Sequence, residues 1–280
     1  MRLSSVVAGL VLLAGPVSLR AQPMVEAWAA DSGDEWKISC ATASLPTMEN
    51  HAFADHESLA YGVRWGAISA GRGLIEVQGI QTFDDRPAYR LSMWLETTGV
   101  VKTLHAYSEK TETWLDRATL LPLRYKKQTH EGHYERSEDV HLEPSCQRLT
   151  RVDRRLDKDI VERKQIRLPG PTLDILGYIF YLRTLPLKVG DHYDLTLVSG
   201  DHLYPVTVTV KDRLQVSTSA GWFDCFYVEP SLRGGEKTEK LRDLQLWLTA
   251  DARKLPVRLR MGANFGHITA ELIQSPTTEP

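Results

Sequence analysis

The side chains best suited to chemistry in this sequence are its histidines. His130 and His133 stand three apart in "THEGHYE", beside Glu131 and Glu135; His141 follows, and "HAFADH" supplies His51, Asp55 and His56. A catalytic zinc needs several such ligands converging on one point, with hydrogen-bonded groups behind them. On a helix His-x-x-His would converge. Here Gly132 divides the pair and the flanks read as a hairpin turn, so the spacing predicts solvated loop imidazoles that point apart. We assign no metal ligand.

Other reactive constellations are thinner still. A nucleophilic serine needs a presenting turn and a nearby base, and no Gly-x-Ser-x-Gly occurs. Asp84-Asp85 and Glu138-Asp139 are sequence neighbours, and neighbours on a strand face opposite ways, so neither makes a glycosidase-type pair. Cys40, Cys146 and Cys225 contain no Cys-x-x-Cys redox pair. The glycine cluster Gly66–Gly73 precedes "LIEVQGI", a strand pattern, where a phosphate-binding loop requires a helix. It reads as a bulge, a bend or a close backbone approach. We assign no catalytic residue and no cofactor, and the sequence leans away from an enzyme.

The elements that must position any site are mainly strands. In "LAYGVRW" Leu59, Tyr61, Val63 and Trp65 alternate with smaller or polar residues. Tyr89, Leu91, Met93 and Leu95 do the same in "AYRLSMWLET". A period of two buries one face. "YDLTLV" and "YPVTVTV" around Gly200-Asp201 predict a hairpin with Val206, Val208 and Val210 on one face. The charged stretch Arg148–Arg167 predicts a solvated hairpin, with a short helix as the alternative.

One segment departs from the β pattern. "PGPTLDILGYIFYLRTLPLKVGD" predicts a single helix near 172–185, with Thr172 as its N-cap and Pro186 beyond its end. Its apolar residues, including Ile179 and Phe180, surround most of the axis, so it must be buried on most sides. Arg183 falls in the last turn, where a cation suits the helix dipole. Its functional alternative is to hold an anionic head group at the mouth of a cavity.

The start of the chain reads as a targeting segment. Arg2, the apolar run Val6–Gly15 and a small residue at Ala21 predict a signal peptide over 1–21, cleaved after Ala21 or, alternatively, Ser18. The rival reading is an uncleaved anchor. Cleavage removes Arg2 and Arg20 and no acid, taking the formal net charge of −2 to −4. That charge argues against a nucleic-acid partner, and no later apolar stretch is long enough for a transmembrane helix. The expected location is periplasmic or secreted. There one cysteine pair can form a disulfide, with Cys40–Cys146 favoured because Cys225 lies in the apolar run "WFDCFYVEP". Residues 22–55 read as an irregular segment, 56–275 as the β domain and 276–280 as a disordered tail.

Two stretches repeat a device. "WLDRATLLPLRYKK" (114–127) and "WLTADARKLPVRLR" (247–260) share Trp-Leu, an Asp, Leu-Pro, an aliphatic residue and Arg. Ten residues after each proline stands Gly-His, Gly132-His133 and Gly266-His267. The pattern predicts strand, Asp-opened turn, strand, turn, strand, and favours two related β halves, 56–168 and 187–275, joined by the helix. Convergence on a good hairpin is the rival explanation.

"ESLAYGVRWGAISAG", "LDILGYIFYLRTLPLKVGD", "GWFDCFYVEP" and "LWLTADARKLPVRLR" resemble the domain-of-unknown-function family 3108, exported bacterial β-rich proteins. The resemblance runs from about Glu57 to Ile273 and is distantly similar to the open barrels of envelope lipoprotein carriers. It implies a fold and an exported location, and brings no catalytic residue.

The expected fold is therefore a curved antiparallel sheet or open barrel. Its expected role is a non-enzymatic periplasmic binding or carrier protein for an apolar or lipid-like ligand. Candidate pocket residues are Trp65, Tyr89, Met93, Leu123, Tyr125, Leu259 and Met261 on the strands, with Ile179, Phe180 and Arg183 on the helix. A structural or assembly partner in the cell envelope is the second reading, in which surface strands such as Arg148–Arg167 meet another protein or anionic head groups. A metal-dependent hydrolase is the third.

Overall fold

The computed structural model describes residues 45–232, 244–262 and 266–274. The expectations for the signal peptide 1–21, for Cys40 and for the tail 276–280 lie outside the described residues, as does most of the 22–55 segment. Residues 45–55 contain no helix or strand.

The first eight strands are β1 (His56–Trp65), β2 (Ile68–Phe83), β3 (Arg86–Thr97), β4 (Tyr107–Asp116), β5 (Pro122–Glu131), β6 (Tyr134–Glu143), β7 (Arg148–Arg155) and β8 (Ile160–Arg167). After them come β9 (Thr172–Leu173), β10 (His192–Ser199), β11 (His202–Thr218), β12 (Gly221–Leu232), β13 (Gln245–Thr249), β14 (Pro256–Gly262) and β15 (His267–Leu272). All fifteen belong to one sheet, in the order β8-β7-β6-β5-β4-β3-β2-β1-β15-β14-β13-β12-β11-β10-β9. Every pairing is antiparallel except that of β9 with β10.

The sheet does not close through its ladder, and its ends meet through side chains. Tyr125, Val140, Leu142 and Leu149 of β5–β7 share a buried cluster with Val198 of β10, against which Leu203 of β11 also packs. Lys164 of β8 pairs with Asp201 in the β10–β11 turn. Strands so distant in the sheet order meet only if the sheet curls, which makes it an open barrel. Alternation explains the inward face. In β1 Leu59, Tyr61 and Val63 are buried while their neighbours are not, each burial contributing roughly 1.5–3 kcal/mol. Gly71 is the close approach that the glycine cluster foretells: an added Cβ would lie 2.3 Å from the Glu96 carbonyl oxygen.

The repeated device folds alike in both places. Asp116 Oδ1 accepts from the amides of Ala118 and Thr119 at 2.9 Å, and Asp251 Oδ1 accepts from the Lys254 amide at 3.2 Å. The pairing slips at Trp114/Leu115 and again at Trp247/Leu248. Arg124 then lies 5.7 Å from the Trp114 ring and Arg258 5.6 Å from the Trp247 ring. In the sheet, β6 to β1 and β15 to β10 run in the same order. The equal Gly-His spacing, however, reaches different places. Gly132-His133 is the whole turn between paired Glu131 and Tyr134, whereas His267 is itself paired with Gly262.

Two α-helices and a 3-10 turn (Pro144–Cys146) join the described strands. α1 (Gly99–Leu104) was not expected; it buries only Val101, so its sequence carries no helical period. α2 (Ile175–Thr184) is the apolar helix. Its cap is Asp174 rather than Thr172, which belongs to β9. The Asp174 carboxylate accepts from the Gly177 and Leu176 amides at 3.1 and 3.3 Å, the donors a helix start leaves open. Leu185 ends the helix, one residue before Pro186. Leu176, Tyr178, Ile179, Phe180 and Leu182 are all buried, so α2 lies inside the curl of the sheet.

Candidate functional site

A cavity of about 100 Å³ lies between α2 and the inward face of β1–β5, β14 and β15. Tyr61, Val63, Ile75, Met93, Leu259, Met261 and Ile179 give it an apolar lining. These side chains converge because strand alternation sends every second residue inward and the curl turns those faces toward one helix. Tyr61 is fixed there by its hydroxyl, which donates to the Pro256 carbonyl oxygen at 2.7 Å.

One wall is charged. Glu109 and Lys127 both line the cavity, with Lys127 Nζ 2.8 Å from Glu109 Oε2. The Tyr107 hydroxyl donates to Glu109 Oε2 at 2.7 Å, and the Thr111 hydroxyl to Oε1 at 3.4 Å. Burial, with Glu109 alongside, holds the Tyr107 phenol well above the ordinary tyrosine range. Further along the same inward face stands an ionic network. Arg136 bonds Asp153 at 2.8 and 2.9 Å, while Arg151 bonds Glu138 at 3.1 Å and Asp153 at 2.5 Å. Tyr125 donates to Glu138 at 3.1 Å. Thus the cavity lies where an apolar interior meets an ionic one.

The sequence-derived candidates divide. Met93, Ile179, Leu259 and Met261 line the cavity together. Trp65 packs at the margin of the main core. Tyr89 and Phe180 stack edge-on against Phe53, with ring centroids 5.1 and 4.8 Å away. Tyr125 belongs to the second cluster, and Leu123 is buried outside the cavity lining. Arg183 is fully buried, at 0% exposure, and its fork is occupied. It bonds the Glu57 carboxylate at 2.6 and 2.9 Å, and the Ala52 and Arg253 carbonyl oxygens at 3.1 Å. It therefore ties α2 to β1 and to residues 45–55, with the aromatic rings of Phe53 and Phe180 against its guanidinium.

Sequence reasoning missed Glu109 and Lys127. The signal was parity: Lys127 stands two residues beyond Tyr125, and Glu109 two beyond Tyr107, each on the inward face. His130 and His133 are exposed, and among the described residues no group of three or more potential metal ligands converges. Cys146 is disulfide-bonded. Cys225 is a free, buried thiol whose pKa burial pushes up to about 12, so it is an inert core group.

A family described as "Protein of unknown function (DUF3108)" matches residues 60–273. No curated protein matches the chain. Among solved structures, a β-barrel-like protein of the domain of unknown function DUF1849 from Brucella abortus is similar to it. The identity is 13% and the TM-score 0.54, over 85% of this chain and 100% of that one. A putative exported protein with a YmcC-like fold from Bacteroides fragilis aligns at 8% identity and a TM-score of 0.33, over 84% of this chain and 98% of its own. The chain belongs to the DUF3108 family of unknown function.

Proposed function

We propose that this family member is a non-enzymatic binding or carrier protein for an apolar or lipid-like ligand, acting in the periplasm or outside the cell after export. The observation that carries this reading is the apolar cavity beneath α2, lined by strands from both ends of the sequence and bordered by one buried ion pair. The test is native mass spectrometry of protein purified gently from its own compartment, followed by organic extraction. A stoichiometric added mass released by solvent supports the carrier role. A bare polypeptide mass, with no uptake of added lipid, removes it.

A second reading is an assembly role at the envelope, favoured by the hairpin β7–β8. Residues 148–167 hold eight Lys and Arg against four Asp and Glu, net +4 in a chain whose total is −2. Leu156, Ile160 and Val161 are exposed around its turn. Basic charge beside exposed aliphatic side chains suits an anionic lipid surface. Sedimentation with vesicles containing one-third phosphatidylglycerol tests it: binding lost in the L156S/I160S/V161S variant supports this reading, and equal recovery with neutral vesicles counts against it.

A further inference from the structure

Resting on the carrier reading, we infer that the cavity takes the end of one aliphatic chain whose head is uncharged and bears an acceptor oxygen, such as an ester, amide or alcohol, and that Lys127 is the donor to it. Three observations lead there. The first is size. At about 100 Å³ the space is smaller than the roughly 150 Å³ engineered apolar cavity that accommodates benzene, so it suits part of a single chain.

The second is the state of the donors. Among the described residues Lys127 has one partner, Glu109, at 2.8 Å, and its side chain is 13% exposed. An ammonium carries three N–H donors, and this one borders an apolar space. Glu109 is the better satisfied partner, since Tyr107 and Thr111 also donate to it. The spare hydrogen-bonding capacity at the wall is therefore a donor's, and it calls for an acceptor on the ligand.

The third is charge balance. The Glu109–Lys127 pair is neutral as a unit. A carboxylate or phosphate placed on Lys127 would bring a second anion beside Glu109 in a largely dehydrated site, where like charges are costly. A cationic head would find the Glu109 carboxylate already engaged by Lys127, Tyr107 and Thr111. A neutral acceptor takes the free N–H and leaves the balance intact.

The experiment compares heads on one chain length. 1-Dodecanol, dodecyl acetate, dodecanoate and dodecyltrimethylammonium are titrated into the purified, delipidated protein by calorimetry at pH 8, below their aggregation limits. We expect dodecanol and dodecyl acetate to bind about tenfold more tightly than either charged probe, the ratio one buried hydrogen bond commonly supplies. Glu109→Gln keeps the shape and the acceptor for Tyr107 while leaving Lys127 unbalanced, so the preference should turn toward dodecanoate. Binding of all four probes without discrimination, or an unchanged order in Glu109→Gln, overturns the head-group inference and leaves the carrier reading standing. Binding of none of them overturns both.

Discussion

At matching rungs of two hairpins the interior is filled in opposite ways. In β14–β15 the inward side chains are Leu259, paired with Ala270, and Met261, paired with Ile268. In β5–β6, counting from the same proline and the same bulge, they are Tyr125 with Val140 and Lys127 with Glu138. One wall asks only for shape. The other must satisfy every buried charge, and does so through Arg136, Arg151 and Asp153. The difference teaches that a shared backbone device does not fix the interior. The apolar wall supplies the driving force and the space, while the ionic wall sets where that space ends. A buried ion pair adds little net stability over a well-packed apolar substitute, yet breaking one leaves a stranded charge.

That asymmetry yields the largest expected effect. Arg151 is 3% exposed and Glu138 2%. Arg151→Met should cost about 3–5 kcal/mol, because Glu138 loses its nearest cation and Asp153 one of two. Met261→Ala on the opposite wall should cost about 2–4 kcal/mol, by lost burial and an enlarged void. Urea denaturation measures both. An Arg151→Met variant as stable as the native chain would show that the ionic wall is solvated rather than buried. A variant replacing Lys127 by Met and Glu109 by Gln together removes charges of both signs, and should lie within about 1–2 kcal/mol of the native chain.

Asp174 stands at the border between the walls, and pH sharpens the comparison there. Its carboxylate caps α2 and accepts from the Thr113 hydroxyl of β4 at 2.7 Å. Burial nonetheless pushes its pKa up from 3.8 to about 6. The folded protein thus holds this proton more tightly than the unfolded chain does. The stability linked to it is full below about pH 4 and is lost as pH rises through about 6. The amount is on the order of 2–3 kcal/mol. Asp174→Asn keeps a capping oxygen and cannot titrate, so its melting temperature should lack this fall. Melting curves of both proteins between pH 4 and 7 decide the point, since parallel profiles would place the titration elsewhere.

What the sequence made legible followed from period. Alternation in 59–65 and 89–95 located β1 and β3, and the Trp-Leu…Leu-Pro device located two bulged hairpins with their Asp-opened turns. An apolar helix in a β chain had to be internal. The site was legible only in part, for a physical reason. Met93, Leu259 and Met261 were visible because apolar residues at even spacing mark an inward face. Glu109 and Lys127 share that parity but carry charge, and charge in a strand ordinarily means the solvent side. Their burial depends on each other and on Tyr107, contacts that no local pattern expresses. Arg183 was read correctly as belonging to the last turn of the helix, while its partner Glu57, 126 residues away, was invisible for the same reason.

The smallest expected effect tests how dry the apolar side is. Tyr178 is buried in α2, and its hydroxyl has no hydrogen-bond partner among the described residues. Burial alone raises its pKa, with no charged neighbour contributing. On the ionic wall the corresponding phenol, Tyr125, has Glu138. An unsatisfied buried hydroxyl carries its desolvation penalty without return. Tyr178→Phe should therefore leave stability unchanged or raise it by up to about 1 kcal/mol, whereas Tyr125→Phe should lower it by about 1 kcal/mol. Equal losses in the two variants, measured by the same urea titration, would mean that the Tyr178 hydroxyl is bonded to water or ligand in solution. The apolar side would then have a polar contact of its own, and the contrast between the walls would be one of degree.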